Sequence, residues 1–204
     1  MKKQLQGIVS LLVCLVASGA SGTILSDNLG NAITGTEAVG GTRFVDASFG
    51  TDASSYSLSS VTLLMQEVTP GNAVLQIYTD SGFQPGLLVG TMTSPASYTS
   101  VLGNNLFTSP GIALAPNSTY WAVLEAPTGQ YNWAWTSDDT GSGVGLQHTW
   151  GFSTDAGATW IENATAPQMM LAIGEVPEPS TFMLFGMGAI GLVCNWGRQK
   201  SSLR

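Results

Sequence analysis

Between two apolar terminal segments the chain never sets its apolar residues at helical spacing over any long stretch. Short runs rich in β-branched and aromatic residues recur instead, each closed by Gly, Pro, Asn, Asp or Ser. This spacing predicts a mainly β chain with a single antiparallel β-sandwich or jelly-roll-like domain. The expected strands are Thr42–Phe49, Tyr56–Gln66, Ala73–Thr79, Leu87–Thr93, Asn105–Thr108, Thr119–Ala126, Gln130–Ser137, Leu146–Phe152, Thr159–Glu162 and Gln168–Ile173. Turns are expected at Pro70-Gly71-Asn72, Asp80-Ser-Gly82, Pro85-Gly86 and Pro127-Thr-Gly129.

With 204 residues there is room for one ordinary domain, residues 23–175, once the ends are set aside. The body holds nearly all of the 13 acidic residues and a single basic one, Arg43. So acidic a surface repels phosphates and excludes nucleic acid as a partner. Both cysteines, Cys14 and Cys194, fall in the terminal segments, so the body has no disulfide and is held by packing alone.

Met1-Lys2-Lys3, the apolar run Leu5 to Val16 and the small residues Ala17 to Gly22 read as a helical secretory signal peptide, residues 1–22, cleaved after Ala20 or Gly22. Cys14 lies inside the apolar run without the small residue before it that a lipidation site needs.

At the other end, Val176-Pro177-Glu178-Pro179-Ser180-Thr181 precedes an uncharged run from Phe182 to Trp196. The prolines hold the first part extended, and Ser180 is a suitable N-cap for a helix over 182–197. Fifteen helical residues span roughly 22 Å against about 30 Å of bilayer hydrocarbon, a short anchor that Arg198 and Lys200 extend by snorkelling. With Arg204 they place residues 198–204 on the cytoplasmic side and the body outside. Gly186-Met-Gly188-Ala-Ile-Gly191 spells a dinucleotide-binding pattern but lacks the strand before it and the acidic residue after it. Its small residues suit close approach of another membrane helix instead.

Residues 176–204, in this order of Pro-Glu-Pro, Gly-rich apolar helix and basic end, resemble the PEP-CTERM sorting signal, also called the ice-binding protein C-terminal domain. The resemblance implies an exosortase as partner, transit through the inner membrane of a Gram-negative bacterium, and association with exopolysaccharide. Asn195 within the helix and the basic end spaced by Gln199, Ser201 and Ser202 depart from the family pattern. In the body, Ala47-Ser-Phe49, Tyr56 to Leu63, Ile77-Tyr-Thr-Asp80, Pro85-Gly86 and Thr119-Tyr120-Trp121 resemble the choice-of-anchor R domain, which implies an extracellular sandwich and carries no catalytic residues.

Tyr131, Trp133 and Trp135 alternate along one strand, so all three rings share a face. They are either core or a platform for stacking sugar rings, with Asn132, Ala134 and Thr136 on a solvated opposite face. Asp138 and Asp139 open an acidic loop without the EF-hand spacing, so a solvated loop and no cofactor are expected, with calcium held by its oxygen ligands as the alternative. Ser153-Thr-Asp155-Ala-Gly157-Ala-Thr159-Trp160 matches the Asp-box pattern once, where a propeller needs several copies, so a structural turn is expected. Asn117-Ser-Thr119 and Asn163-Ala-Thr165 fit the glycosylation sequon and also read as turns.

His148 is the single histidine, no G-x-S-x-G elbow is present, and a His and Cys zinc site is excluded. Glycoside hydrolysis needs two carboxyl groups about 5 to 10 Å apart, for which Asp138, Asp139 and Glu162 are candidates. No regular threonine array supports ice binding. The expectation is therefore an exported, exosortase-sorted protein without catalytic activity, with a carbohydrate-binding module as the alternative and a glycoside-active enzyme third.

Overall fold

The computed structural model describes residues 22–164 and 168–175. The expected signal-peptide and membrane helices, the motif at 176–181 and the basic end fall outside the described residues. Within them the chain forms 11 strands in one curled sheet, and no helix among them is long and apolar enough to cross a membrane. The strands are β1 (Ile24–Asp27), β2 (Gly35–Val39), β3 (Phe44–Gly50), β4 (Tyr56–Asp80), β5 (Pro85–Thr91), β6 (Gly103–Leu114), β7 (Thr119–Thr136), β8 (Trp150–Ser153), β9 (Ile161–Asn163), β10 (Gln168–Met169) and β11 (Leu171–Glu175). Every pairing is antiparallel, in the order β1-β11-β4-β7-β3-β8-β9, with β5 and β6 also on β4 and β2 and β10 also on β7.

Two strands run far beyond the lengths expected: β4 has 25 residues and β7 has 18. They pair along most of their length, from Met65 opposite Trp133 to Thr79 opposite Tyr120. The first half of β4 lies between β6 and β11, whereas its second half lies between β5 and β7. Thus β4 and β7 together carry the chain from one half of the curled sheet to the other. The apolar faces of both halves close over a single core that includes Leu58, Leu63, Phe107, Leu75, Phe49 and Leu124.

The alternation that drives this burial is legible in β4. Tyr56, Leu58, Val61, Leu63 and Met65 are all buried, with one break in the period of two between Leu58 and Val61. There the register to β6 slips, and a bulge returns Val61 to the core where strict alternation would turn it outward.

The turns expected at Pro70-Gly71-Asn72 and Pro127-Thr-Gly129 are not chain reversals. Both lie inside the long strands, where the β4–β7 register shifts between Glu67 and Val74. A proline cannot donate to a ladder, so each falls where pairing is broken and the strands bend together. Their backbones touch at this bend: a Cβ on Gly71 would collide with the Thr128 carbonyl, and one on Gly129, at φ +80, would lie 2.6 Å from the Thr69 oxygen. Only glycine fits either position. Pro85-Gly86 is likewise not the turn but the start of β5; Gly82 and Phe83, both with positive φ, form the reversal, closed by the Ser81 N–H on the Gln84 oxygen.

Replacement of Gly71 or Gly129 by alanine is expected to destabilise the chain by about 1 to 3 kcal/mol in urea unfolding. Alanine at Gly30, which has open space around it, changes little.

Candidate functional site

On β3, Val45, Ala47 and Phe49 enter the core, which turns Asp46 and Ser48 to the outer face of the sheet. On β7, Tyr120, Ala122 and Leu124 enter the core and turn Trp121 and Val123 outward. Register places Asp46 beside Val123 and Ser48 beside Trp121. Yet this outer face is covered as well: Asp46 is 0% exposed and Trp121 1%. Trp121 Nε1 donates to Asp80 Oδ1 at 2.9 Å, and Ser48 Oγ donates to the Thr149 oxygen at 3.1 Å.

The cover over Asp46 is a second carboxyl group. Asp46 lies opposite Gly151 of β8, and Gly151 lies opposite Glu162 of β9. Because Gly151 has no side chain, Glu162 folds back across it; a Cβ there would land on the Glu162 carboxyl group. Among the described residues no other side chain donates to the four carboxyl oxygens; the two carboxyl groups hydrogen-bond each other, and the Gly151 N–H lies against Asp46. Burial first, and then the charge of Glu162, push Asp46 well above the ordinary carboxylate range, against a bond from the Gly151 N–H that draws it down. Burial pushes Glu162 up to about 7, with Asp46 acting against this and Asp80 adding to it. The body's one basic residue is engaged elsewhere: Arg43 pairs with Glu37, donates to the Ala38 oxygen and lies 4.3 Å from the Phe152 ring centre.

An open cavity of about 370 Å³ is bordered by Asp80, Trp121, Ser48, Thr119, His148 and Phe83. Phe83 is 76% exposed and sits at φ +67, in the left-handed region that an aromatic residue rarely adopts.

The residues singled out from sequence fall differently. Tyr131 and Trp133 are 0% exposed, and Trp135 packs half-buried against the same core, so the sugar-stacking platform is overturned. The shared face is real but it points inward. Trp133 Nε1 donates to the Met170 oxygen at 2.9 Å, and the Tyr131 hydroxyl donates to Glu67 Oε1 at 3.2 Å. Nor is the opposite face solvated throughout, for Ala134 and Thr136 are also buried, with β2 and β10 paired alongside.

Asp138 accepts the Thr140 N–H at 3.0 Å as a turn cap. Asp139 accepts from Gln168 Nε2 at 2.8 Å and lies 3.1 Å from His148 Nδ1. Among the described residues no three His, Cys, Asp or Glu side chains gather to hold a metal. Glu162 pairs with Asp46 rather than with Asp138 or Asp139.

The Asp-box segment is a turn. Asp155 accepts from the Ser153 hydroxyl at 2.7 Å and from the Thr159 N–H and hydroxyl at 2.9 and 2.6 Å, and Gly157 takes φ +83. Bonds from Thr159 and then Ser153 draw Asp155 down to about 2. The Trp160 ring lies close to Gly157. Asn117, at φ +50, is a turn residue; Asn163 closes β9.

Sequence reading missed Asp46, because a carboxylate in a polar alternate position reads as solvent-facing. The available signal was Gly151, a glycine inside the apolar run Trp150-Gly-Phe152, which marks close approach of another group.

Residues 175–199 match the PEP-CTERM protein-sorting motif. Such motifs are recognised by exosortase, and the match marks the chain for export with transient membrane anchoring on the way to the cell surface. The chain matches no curated protein.

The pH dependence of stability follows from the carboxyl pair. A raised folded-state value means that the folded chain holds protons the unfolded chain has released, so the pair favours folding below the unfolded value near 4.5 and loses that effect as pH rises through about 7. In chelator-treated buffer, stability is expected to fall by about 1 to 2 kcal/mol between these limits, solvent screening of half-buried Glu162 being discounted. Asp46→Asn should flatten the slope in urea titrations run across that range.

Proposed function

We propose that the chain is a non-catalytic surface or extracellular-matrix protein: an acidic β body exported through the inner membrane, trimmed by exosortase near Pro177 to Thr181, and associated with exopolysaccharide. The sorting-motif match at residues 175–199 carries the export part of this reading. Support for a body without catalysis comes from its carboxyl groups. Asp138 and Asp139 serve a turn cap and His148, while Asp46 and Glu162 meet in a covered face. Glycoside hydrolysis needs two carboxyl groups spaced across an open cleft instead.

A carbohydrate-binding module is the second reading. Its support is now the cavity beside Phe83 rather than the Tyr131 and Trp133 face. An exposed ring held in a strained turn, next to a carboxylate, hydroxyls and an imidazole, has the mixed aromatic and polar character of a sugar site.

Two measurements check these readings. C-terminal mass spectrometry of the surface fraction should find chains ending between Pro177 and Thr181, and only uncut chain in the inner membrane when exosortase is deleted. Full-length chain in the wild-type surface fraction contradicts the sorting route. For the second reading, Phe83→Ala should lower retention on an immobilised exopolysaccharide column at least tenfold while leaving the unfolding midpoint unchanged, and equal retention contradicts it.

A further inference from the structure

The cavity at the Phe83 turn is bordered by an unbalanced set of hydrogen-bonding groups, because its donors are largely spent on its own walls. Trp121 Nε1 donates to Asp80 Oδ1 at 2.9 Å, the Ser48 hydroxyl donates to the Thr149 oxygen at 3.1 Å, and Gln147 Nε2 donates to Thr119 Oγ1 at 2.9 Å. Acceptors stay open: among the described residues none donates to Asp80 Oδ2 or to Gln147 Oε1. With histidine neutral, Asp80 is the one charged side chain bordering the cavity, and no lysine or arginine borders it. The body's one arginine is held by Glu37.

We propose that this cavity takes an amino sugar whose nitrogen is not acylated, the sugar ring lying on Phe83 and the ammonium against Asp80. The proposal rests on the sugar-binding reading and narrows it to one ligand class. Asp80 closes β4 and Phe83 stands in the turn to β5, so one hairpin carries both the charge and the exposed ring to the cavity. An ammonium brings three donors and a positive charge to a wall that offers acceptors and a negative one. The ring hydroxyls of a sugar add further donors for Gln147 Oε1 and the free lone pair of Ser48, which a plain alkyl amine does not. An N-acetylated ring presents one amide N–H and no charge, and so forgoes the ion pair. A uronate or sulfated sugar meets Asp80 as a like charge with no cation at hand to offset it. Asp80 itself is exposed, so the ion pair is solvent-screened and the contact is of modest strength.

The test uses the full chain, purified in detergent, on three columns: an immobilised glucosamine oligomer, the same oligomer N-acetylated, and an alkyl diamine. Retention on the glucosamine column should exceed that on either of the others by about three- to tenfold, the range of one screened ion pair with its hydrogen bond. The excess should vanish between about 20 mM and about 500 mM salt. Asp80→Asn, which keeps an acceptor for the Trp121 N–H, should reduce glucosamine retention to the acetylated level, and Phe83→Ala should lower retention on both sugar columns. Asp138→Asn, the same loss of charge outside the cavity, should leave all three unchanged. Circular dichroism identifies a substitution that unfolds the chain, and the column comparison and salt series on the unaltered chain then decide. Equal retention on both sugar columns, lost in Phe83→Ala, overturns the amine assignment and leaves the sugar-binding reading standing. Equal retention on the glucosamine and diamine columns, or glucosamine retention unchanged in folded Asp80→Asn, overturns it as well. No retention on either sugar column overturns the proposal, and the sugar-binding reading falls with it only if the exopolysaccharide column also fails to hold the chain.

Discussion

The fold depends on one ladder, the pairing of β4 with β7, and on the glycine crossing that lets both strands bend at once. Each strand is too long to stay flat under ordinary twist, and a bent ladder brings two backbones closer than any side chain permits. Gly71 and Gly129 remove that obstacle, and the register shifts between Glu67 and Val74 absorb the bend. Beyond the bend, β4 and β7 exchange neighbours, with β6, β11, β2 and β10 on one side and β5 and β3 on the other. The single core follows from this, because the same two strands present their apolar positions to it in both halves.

Much of this was legible because period-two alternation is a local property. The runs around Tyr56–Gln66, Ala73–Thr79 and Thr119–Ala126 became strand as expected, and the shared face of Tyr131 and Trp133 follows from their spacing. What alternation could not show was whether a Pro-Gly pair reverses the chain or bends it, since that is decided by a partner strand far away in sequence. β1 and β2 were missed because they are short, and β2 (Gly-Thr-Glu-Ala-Val) has little apolar signature of its own. The Asp-box turn was legible in full, since a carboxylate, a glycine and a threonine within seven residues need no distant partner.

The candidate sites were less legible, for a related reason. Whether an aromatic face is core or platform depends on what the sheet curls around, and curling is not encoded in one strand. Asp46 shows the converse: its position has the sign of a surface residue, but Gly151 and Glu162 arrive from strands more than a hundred residues later. An acidic group thus hidden beneath another is a cost the fold retains. The body's one arginine is paired with Glu37, and the two carboxyl groups are left to hydrogen-bond each other and the Gly151 N–H.

The two ends of the account, a sheet that holds together by packing and a tail that directs it outward, are physically separable. The most direct test fuses residues 176–204 to an unrelated exported reporter in cells that contain exosortase. Surface delivery of the reporter with loss of the tail, abolished when the exosortase is deleted, is the predicted result. A reporter that remains uncut in the inner membrane while the authentic chain reaches the surface would contradict the claim that this tail alone carries the sorting information.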